Sequence, residues 1–225
     1  MSIQTNLQEV KKSLPEGVTL VAVSKTHPSE KVMEAYNAGQ RIFGENKVQE
    51  LVGKYETMPK DIEWHLIGHL QTNKVKYITP FVSLIHSVDS LKLLQAIDKE
   101  AQKVNRVIDC LLQVHIAEEE TKFGFSFDEV YEALNSADYR QLHNVNVVGL
   151  MGMATFTDNT NQVRKEFRSL KGLFDKLKEQ YFSENDNFKV LSMGMSGDYK
   201  IAVEEGSTMV RVGSSIFGAR DYKTT

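Results

Sequence analysis

Cysteine is nearly missing from this chain of 225 residues. Cys110 is the only one, so no internal disulfide and no cysteine-based zinc site can form. It lies inside the apolar run Val107-Ile108-Asp109-Cys110-Leu111-Leu112, and a reduced, cytoplasmic setting is the expectation that follows. Proline is scarce too: its 4 residues, Pro15, Pro28, Pro59 and Pro80, all lie in the N-terminal part of the chain. No stretch is rich in Pro, Gly or Ser and none is of low complexity, so no linker divides the sequence and a single domain over residues 1–225 is expected. A surplus of one charge is also lacking. With 27 basic and 30 acidic residues the net charge is −3, which disfavours a general binder of nucleic acid or of an anionic membrane and favours a small-molecule ligand. The N-terminus has no long apolar core of the kind a signal peptide needs. Ile3, Leu7, Val10 and Leu14 recur there at helical spacing, which predicts an amphipathic helix over residues 1–14 packed on the remainder.

What the chain does have is alternation. Short apolar, β-branched runs over residues 18–23, 41–43, 62–66, 82–85, 107–114, 145–150, 189–191 and 208–212 read as eight strands. Helical patterns lie between them, two strongly periodic: Leu91, Leu94, Ile97, Ala101 and Val104 in one, Val163, Phe167, Leu170, Phe174 and Leu177 in the other. Strict alternation implies parallel strands joined by crossovers, and eight units in this length point to an α/β fold, a (β/α)8 TIM barrel with an additional N-terminal helix. A doubly wound open sheet is the alternative. Polar or glycine-containing sequence follows nearly every strand, which would gather the chemistry on one rim.

Lys25 is the most informative residue. It closes the buried run Val18-Thr19-Leu20-Val21-Ala22-Val23, where a solvated lysine is least expected, and a desolvated amine can attack a carbonyl. A lysine that merely snorkels from a strand end is the plainer reading. Two clusters, SMGMSGD at 192–198 and RVGSS at 211–215, follow the last two strands. Glycines let amides approach an anion, serines add donors, and a helix starting near Asp198 would aim its positive end at the same point; in barrels these two loops are a recurring phosphate site. Arg211 lies on or just past the eighth strand, where a buried guanidinium needs either a carboxylate on a neighbouring strand or an acceptor on a ligand. His65, His69, His86 and His115 stand near strand ends without the spacing of a helical metal pair, and no metal site is expected. Met151, Met153, Met193 and Met195 read as adaptable core filling, and Glu118-Glu119-Glu120 as a solvated loop or first helical turn.

Beyond these separate signals, AVSKTHP at 22–28, AGQRIFGENKVQE at 38–50, WHLIGHLQTNK at 64–74, ETKFGF at 120–125, GLMGMATF at 149–156, SMGMSGD at 192–198 and GSTMVRVGSSIFGAR at 206–220 occur in order along nearly the whole chain. Together they resemble the pyridoxal phosphate homeostasis proteins of the YggS/PROSC type. The resemblance implies a barrel like the N-terminal domain of alanine racemase, of the fold type III class, holding pyridoxal 5′-phosphate (PLP) as an internal aldimine on Lys25. Residue by residue, it places Asn46 beside the cofactor ring, gives the phosphate to Ser196, Gly197, Gly213 and Ser214, and sets Arg211 against the pyridine nitrogen. An arginine cannot accept the proton that would make a pyridinium, so the ring stays a weaker electron sink. Lys47 stands where the family usually has an aromatic residue, and Ser214 where threonine is common.

The resemblance also implies a role: storing and buffering PLP and supplying it to apo-enzymes, as a monomeric cytoplasmic carrier and not an enzyme. Racemases of this fold add a second, mostly β domain and need an acid or base on each face of the cofactor adduct, and the sequence past the eighth unit has no room for that domain. A PLP-dependent racemase using Tyr222 or a histidine as partner base is the alternative. A Schiff-base aldolase, with Lys25 attacking a sugar carbonyl, is a third reading.

Overall fold

The computed structural model of the protein describes residues 2–118 and 123–219. Eight strands close into one barrel in sequence order, every neighbouring pair parallel: β1 Thr19–Val23, β2 Ile42–Glu45, β3 Glu63–Leu66, β4 Leu84–Val88, β5 Ile108–Val114, β6 Val145–Gly152, β7 Val190–Ser192 and β8 Met209–Val212. The expected (β/α)8 barrel is therefore present and the open sheet is excluded, because β1 pairs with β8 through Thr19 to Met209 and Ala22 to Val212. The outer elements are α1 Ile3–Ser13, α2 Ser29–Asn37, α3 Val48–Thr57, a 3-10 turn Thr72–Tyr77, α4 Leu91–Lys103, α5 Phe127–Asn135, α6 Ala137–Arg140, α7 Thr160–Gln180, α8 Tyr199–Glu204 and α9 Ser214–Phe217.

The helices α4 and α5 form where the sequence supplies both an apolar seam and a start signal. The Ser90 hydroxyl accepts from the Leu93 amide at the start of α4, and Ser126 with Glu129 makes a reciprocal capping box on α5. Leu93, Leu94, Ile97 and Ala101 of α4, and Val163, Phe167, Leu170, Leu173 and Leu177 of α7, are buried against the strands. In α1 the Ser2 hydroxyl caps the first turn, Leu7 and Val10 are buried, and the Asn6 side-chain amide donates to the Ile216 carbonyl of α9.

Pleating divides the strand residues between two environments. Ala22, Phe43, Ile85, Cys110, Leu150, Leu191 and Val210 belong to the large core beneath the helices. Val21, Leu84, Leu111, Val148, Met151 and Met209 form a separate apolar cluster that fills the barrel. The spacing of Val148 and Met151 breaks the two-residue period, and the register of β5 against β6 slips at that point, from Cys110 opposite Val147 to Leu111 opposite Gly149. The chain passes close there: a methyl group on Gly149 would stand 1.7 Å from the Val190 carbonyl oxygen.

Strand ends differ from the sequence expectation in one instructive way. Expected to stop at residue 85, the fourth strand continues through His86, Ser87 and Val88, all buried; the second runs on to Glu45 and the sixth to Gly152. Hydropathy marks a strand's end where polarity begins, but here buried polar residues, Glu45, His86 and Ser87, continue the strands. Residues Glu119, Glu120 and Tyr222 lie outside the described residues, as does Arg220.

Candidate functional site

A cavity of about 540 Å³ opens at the carboxyl ends of the strands. Lys25, Asn46, Ser196, Gly197, Arg211, Gly213 and Ser214 all line it. Its wall also takes Gly68 and His69 after β3, Gln113 of β5, the loop after β6 at Met153, Thr155 and Thr157, and Phe123. The sequence pointed to the first seven only. His69 and Phe123 stack at 4.4 Å at the mouth, and Phe156 is 96% exposed there.

Lys25 follows β1 by two residues and keeps the inward parity of Val21, which is why it reaches the cavity. Its turn is unusual. Thr26 has φ 66°, a left-handed conformation that costs a β-branched residue roughly 1–3 kcal/mol. The Thr26 amide donates to Glu50 Oε1 of α3 at 2.6 Å, which holds that shape. Glu50 also receives Lys54 Nζ at 2.9 Å, and the same ammonium reaches Glu45 Oε1 at 2.7 Å and the Ser24 carbonyl at 2.8 Å. Ser24 Oγ donates to Glu45 Oε1 at 2.5 Å, while Glu45 Oε2 is enclosed without a hydrogen-bond partner among the described residues. Burial raises the Glu45 pKa to about 7, against the pull of the Lys54 ammonium.

Asn46 follows β2 directly, and the loop after β3 lies flat on it: a methyl on Gly68 would sit 2.4 Å from the Asn46 carbonyl oxygen. Lys47 stands at the exposed N-cap of α3, outside the cavity wall. The two glycine and serine loops meet, because Ser196 Oγ accepts from the Gly213 amide at 3.1 Å. Ser196 therefore joins the loops and does not cap α8; Asp198 occupies that position and its Oδ1 accepts from the Met195 amide. Among the described residues the amides of Ser196, Gly197 and Ser214 meet no protein acceptor. Three such donors on the wall of one cavity suit a multiply charged oxyanion.

Arg211 is buried on β8, and among the described residues no carboxylate is hydrogen-bonded to it. Nη1 donates to the Ser192 carbonyl at 2.8 Å and to Ser192 Oγ at 2.6 Å, and Nη2 to the Gly152 carbonyl at 3.1 Å. The partners left open in the sequence are thus a hydroxyl and a carbonyl of β7 and a carbonyl of β6. The guanidinium has five N–H donors, so others remain for a group in the cavity. Desolvation lowers its pKa to about 10, so it stays cationic at neutral pH.

Behind Arg211 runs a buried chain that sequence spacing did not suggest. Ser192 Oγ lies 3.0 Å from His86 Nδ1, and His86 Nε2 lies 2.9 Å from His65 Nδ1. Ser192 accepts from Arg211, so its own proton goes to His86 Nδ1; His86 then donates from Nε2 to His65. Both imidazoles are neutral, since burial lowers the His65 pKa to about 3 and holds that of His86 well below its ordinary value. The two histidines are thereby committed to each other, whereas His69 sits at the rim with Nδ1 3.2 Å from Asp89. Of the four methionines, Met151 and Met193 fill the core as expected, but Met153 and Met195 line the cavity.

The arrangement is an amine, a fixed cation and an oxyanion cradle around one cavity. The family model of the alanine racemase N-terminal domain matches residues 1–221. A pyridoxal phosphate homeostasis protein of Aquifex aeolicus is 45% identical over 204 residues, covering 90% of this chain and 87% of that one. A namesake from Vibrio alginolyticus is 39% identical over 98% of this chain and 99% of its own. The solved structure of PipY from Synechococcus elongatus without PLP superposes with a TM-score of 0.90 at 36% identity, over 96% of this chain and all of that one, 100%. Its form with PLP bound gives a TM-score of 0.86 at 35% identity, with the same coverage of 96% and 100%. The chain belongs to the pyridoxal phosphate homeostasis protein family, on the barrel of the alanine racemase N-terminal domain.

Proposed function

We propose that this protein binds pyridoxal 5′-phosphate and serves intracellular PLP homeostasis, as a single-domain carrier that stores the cofactor, buffers its reactive aldehyde and supplies apo-enzymes. One observation carries the reading: Lys25 and Arg211 face the same cavity as the Ser196, Gly197, Gly213 and Ser214 cradle. Each part matches one part of the cofactor. The cradle's uncommitted amides suit a phosphate, the remaining Arg211 donors suit a ring nitrogen that only accepts, and Asn46 lies where it can flank the ring. When bound, PLP supplies an aldehyde with which an unprotonated lysine amine condenses, releasing water. Lys25 is the residue we assign to that bond.

Arg211 supports restraint over catalysis. Its neighbours are carbonyls and a hydroxyl, so it meets the ring nitrogen as a donor and keeps that nitrogen unprotonated. A cofactor held in this way is available for transfer without becoming a strong electron sink. We place the protein in the cytoplasm as a monomer that meets its recipient enzymes transiently. No helix among the described residues is long and apolar enough to cross a membrane, and Cys110 is a buried thiol.

A racemase-like reading has one specific observation in its favour: His69 lines the cavity and is paired with Asp89, the form of a partner base. Incubation of the PLP-loaded protein with single L-amino acids in D₂O separates the two. A carrier leaves the α-hydrogen and configuration unchanged over many cofactor lifetimes; rapid deuteration or racemisation overturns the carrier assignment. PLP titration of the purified protein separates both from an aldolase, which gains no cofactor absorbance.

A further inference from the structure

Lys25 is flanked on both sides by residues tied to one ion cluster. On the N-terminal side, Ser24 gives its carbonyl to Lys54 Nζ and its hydroxyl proton to Glu45 Oε1. On the C-terminal side, the Thr26 amide is held by Glu50 Oε1. Lys54 joins the two carboxylates at 2.7 and 2.9 Å. Lys54 and Glu45 are buried, and neither lines the cavity. A lysine and a glutamate are seldom buried without a reason, because desolvating both charges offsets most of their attraction. Packing alone does not call for the pair, since apolar residues bury without the cost of desolvating charge.

The strained residue supplies the reason. Threonine avoids positive φ, so an isolated chain would let Thr26 relax into an extended or right-handed shape and swing the preceding side chain away from the strand direction. Glu50 accepts the amide that the left-handed shape presents, and Lys54 fixes Glu50 by tying it to Ser24 and Glu45. Sequence separation adds to this: the anchor comes from a helix one unit further along, so the turn is set by the β2 to α3 connection and not by local preference.

We propose that Glu50, Lys54 and Glu45 are positioning residues for Lys25: they hold Thr26 in its left-handed conformation and so aim the lysine amine into the cavity before cofactor arrives. The inference rests on the PLP reading for its functional consequence, and on the apo-protein alone for its structural one. Pre-set geometry speeds bond formation because the amine need not search for its direction.

Three variants test it. Glu50→Ala removes the acceptor at a partly buried position. Covalent capture of PLP, followed by stopped-flow absorbance and by borohydride trapping, is expected to slow about tenfold or more, consistent with the cost of misaimed reacting groups. Glu50→Gln keeps an acceptor oxygen and is expected to remain within about threefold of wild type, the range of an altered hydrogen bond. Adding Thr26→Gly to Glu50→Ala should restore capture to within about threefold, because glycine takes positive φ without penalty. Hydrogen exchange of the Thr26 amide in the apo-protein should accelerate in Glu50→Ala and stay slow in Glu50→Gln. A general structural role gives a lower melting temperature with no rescue by glycine.

Wild-type capture speed in Glu50→Ala, or slow capture that glycine does not restore, overturns the proposal. Failure of the wild-type protein to take up PLP would instead overturn the functional reading. Thr26 exchange would then decide the positioning claim: equal rates in wild type and Glu50→Ala sink it, and a difference sustains it.

Discussion

His86 Nε2 lies 2.9 Å from His65 Nδ1 inside the barrel, and both rings are neutral. A proton added to either ring has to enter a site that excludes water. In the unfolded chain these histidines take up protons near pH 6.5, while folded His65 resists until about pH 3. Below pH 6.5 the unfolded state therefore binds more protons, so this part of the stability is complete above that pH and is lost on acidification toward pH 3. Glu45 acts in the opposite sense. Its folded pKa of about 7 exceeds the ordinary 4.5, so its contribution is complete below 4.5 and is lost as pH rises toward 7. Urea denaturation between pH 4.5 and 6.5 should show His65→Gln flattening the acid-side decline and Glu45→Gln steepening it. Superimposable profiles for the three proteins would contradict both assignments.

Lys25→Ala should remove all borohydride-trapped cofactor while leaving the circular dichroism and melting temperature close to wild type, because the side chain lines a cavity and belongs to no core cluster. Peptide mapping of the trapped wild-type protein should locate the adduct on the peptide that contains Lys25. An adduct of equal yield on another lysine refutes the attachment point.

Two glycines should respond in opposite ways to the same substitution. A methyl on Gly197 meets no atom within 4 Å, so Gly197→Ala should leave the melting temperature nearly unchanged yet weaken PLP binding if phosphate occupies that space. Gly149→Ala drives a methyl to 1.7 Å from the Val190 carbonyl and should destabilise the barrel by more than about 3 kcal/mol. Calorimetry read alongside PLP titration separates the two; unchanged PLP affinity in Gly197→Ala removes that residue from the cradle.

Arg211→Met strips donors from the Ser192 and Gly152 carbonyls and from Ser192 Oγ. Leaving buried acceptors unmet should cost about 1–3 kcal/mol in urea denaturation, partly offset because a buried cation is also removed. The bound cofactor's absorbance should shift as its ring nitrogen loses its donor. A spectrum identical to wild type would show that Arg211 does not face the ring.

Much of this architecture was legible from the residues. The β-branched run ending at Val23 located Lys25, the glycine and serine clusters located the loops after β7 and β8, and eight apolar runs gave the eight strands. What stayed hidden depends on three-dimensional pairing. His86 reads as the polar end of a strand, since nothing in its neighbours reveals that His65 of β3 and Ser192 of β7 meet it. Glu45, Glu50 and Lys54 look like ordinary charges around the start of a helix; the burial of Glu45 and Lys54 follows from the close approach of α3 to the β1 turn. Thr26 carries no signal at all, because its positive φ is imposed by Glu50 and opposes threonine's own preference.

The apolar plug of Val21, Leu84, Leu111, Val148, Met151 and Met209 has a consequence for traffic. It makes the barrel a cup with a sealed base. Whatever enters past Phe123 and Phe156 has to leave by the same lip, so loading and unloading compete for one doorway. On the proposed carrier role, cargo is released or handed over only through that doorway, and a fresh molecule cannot push the old one out from behind.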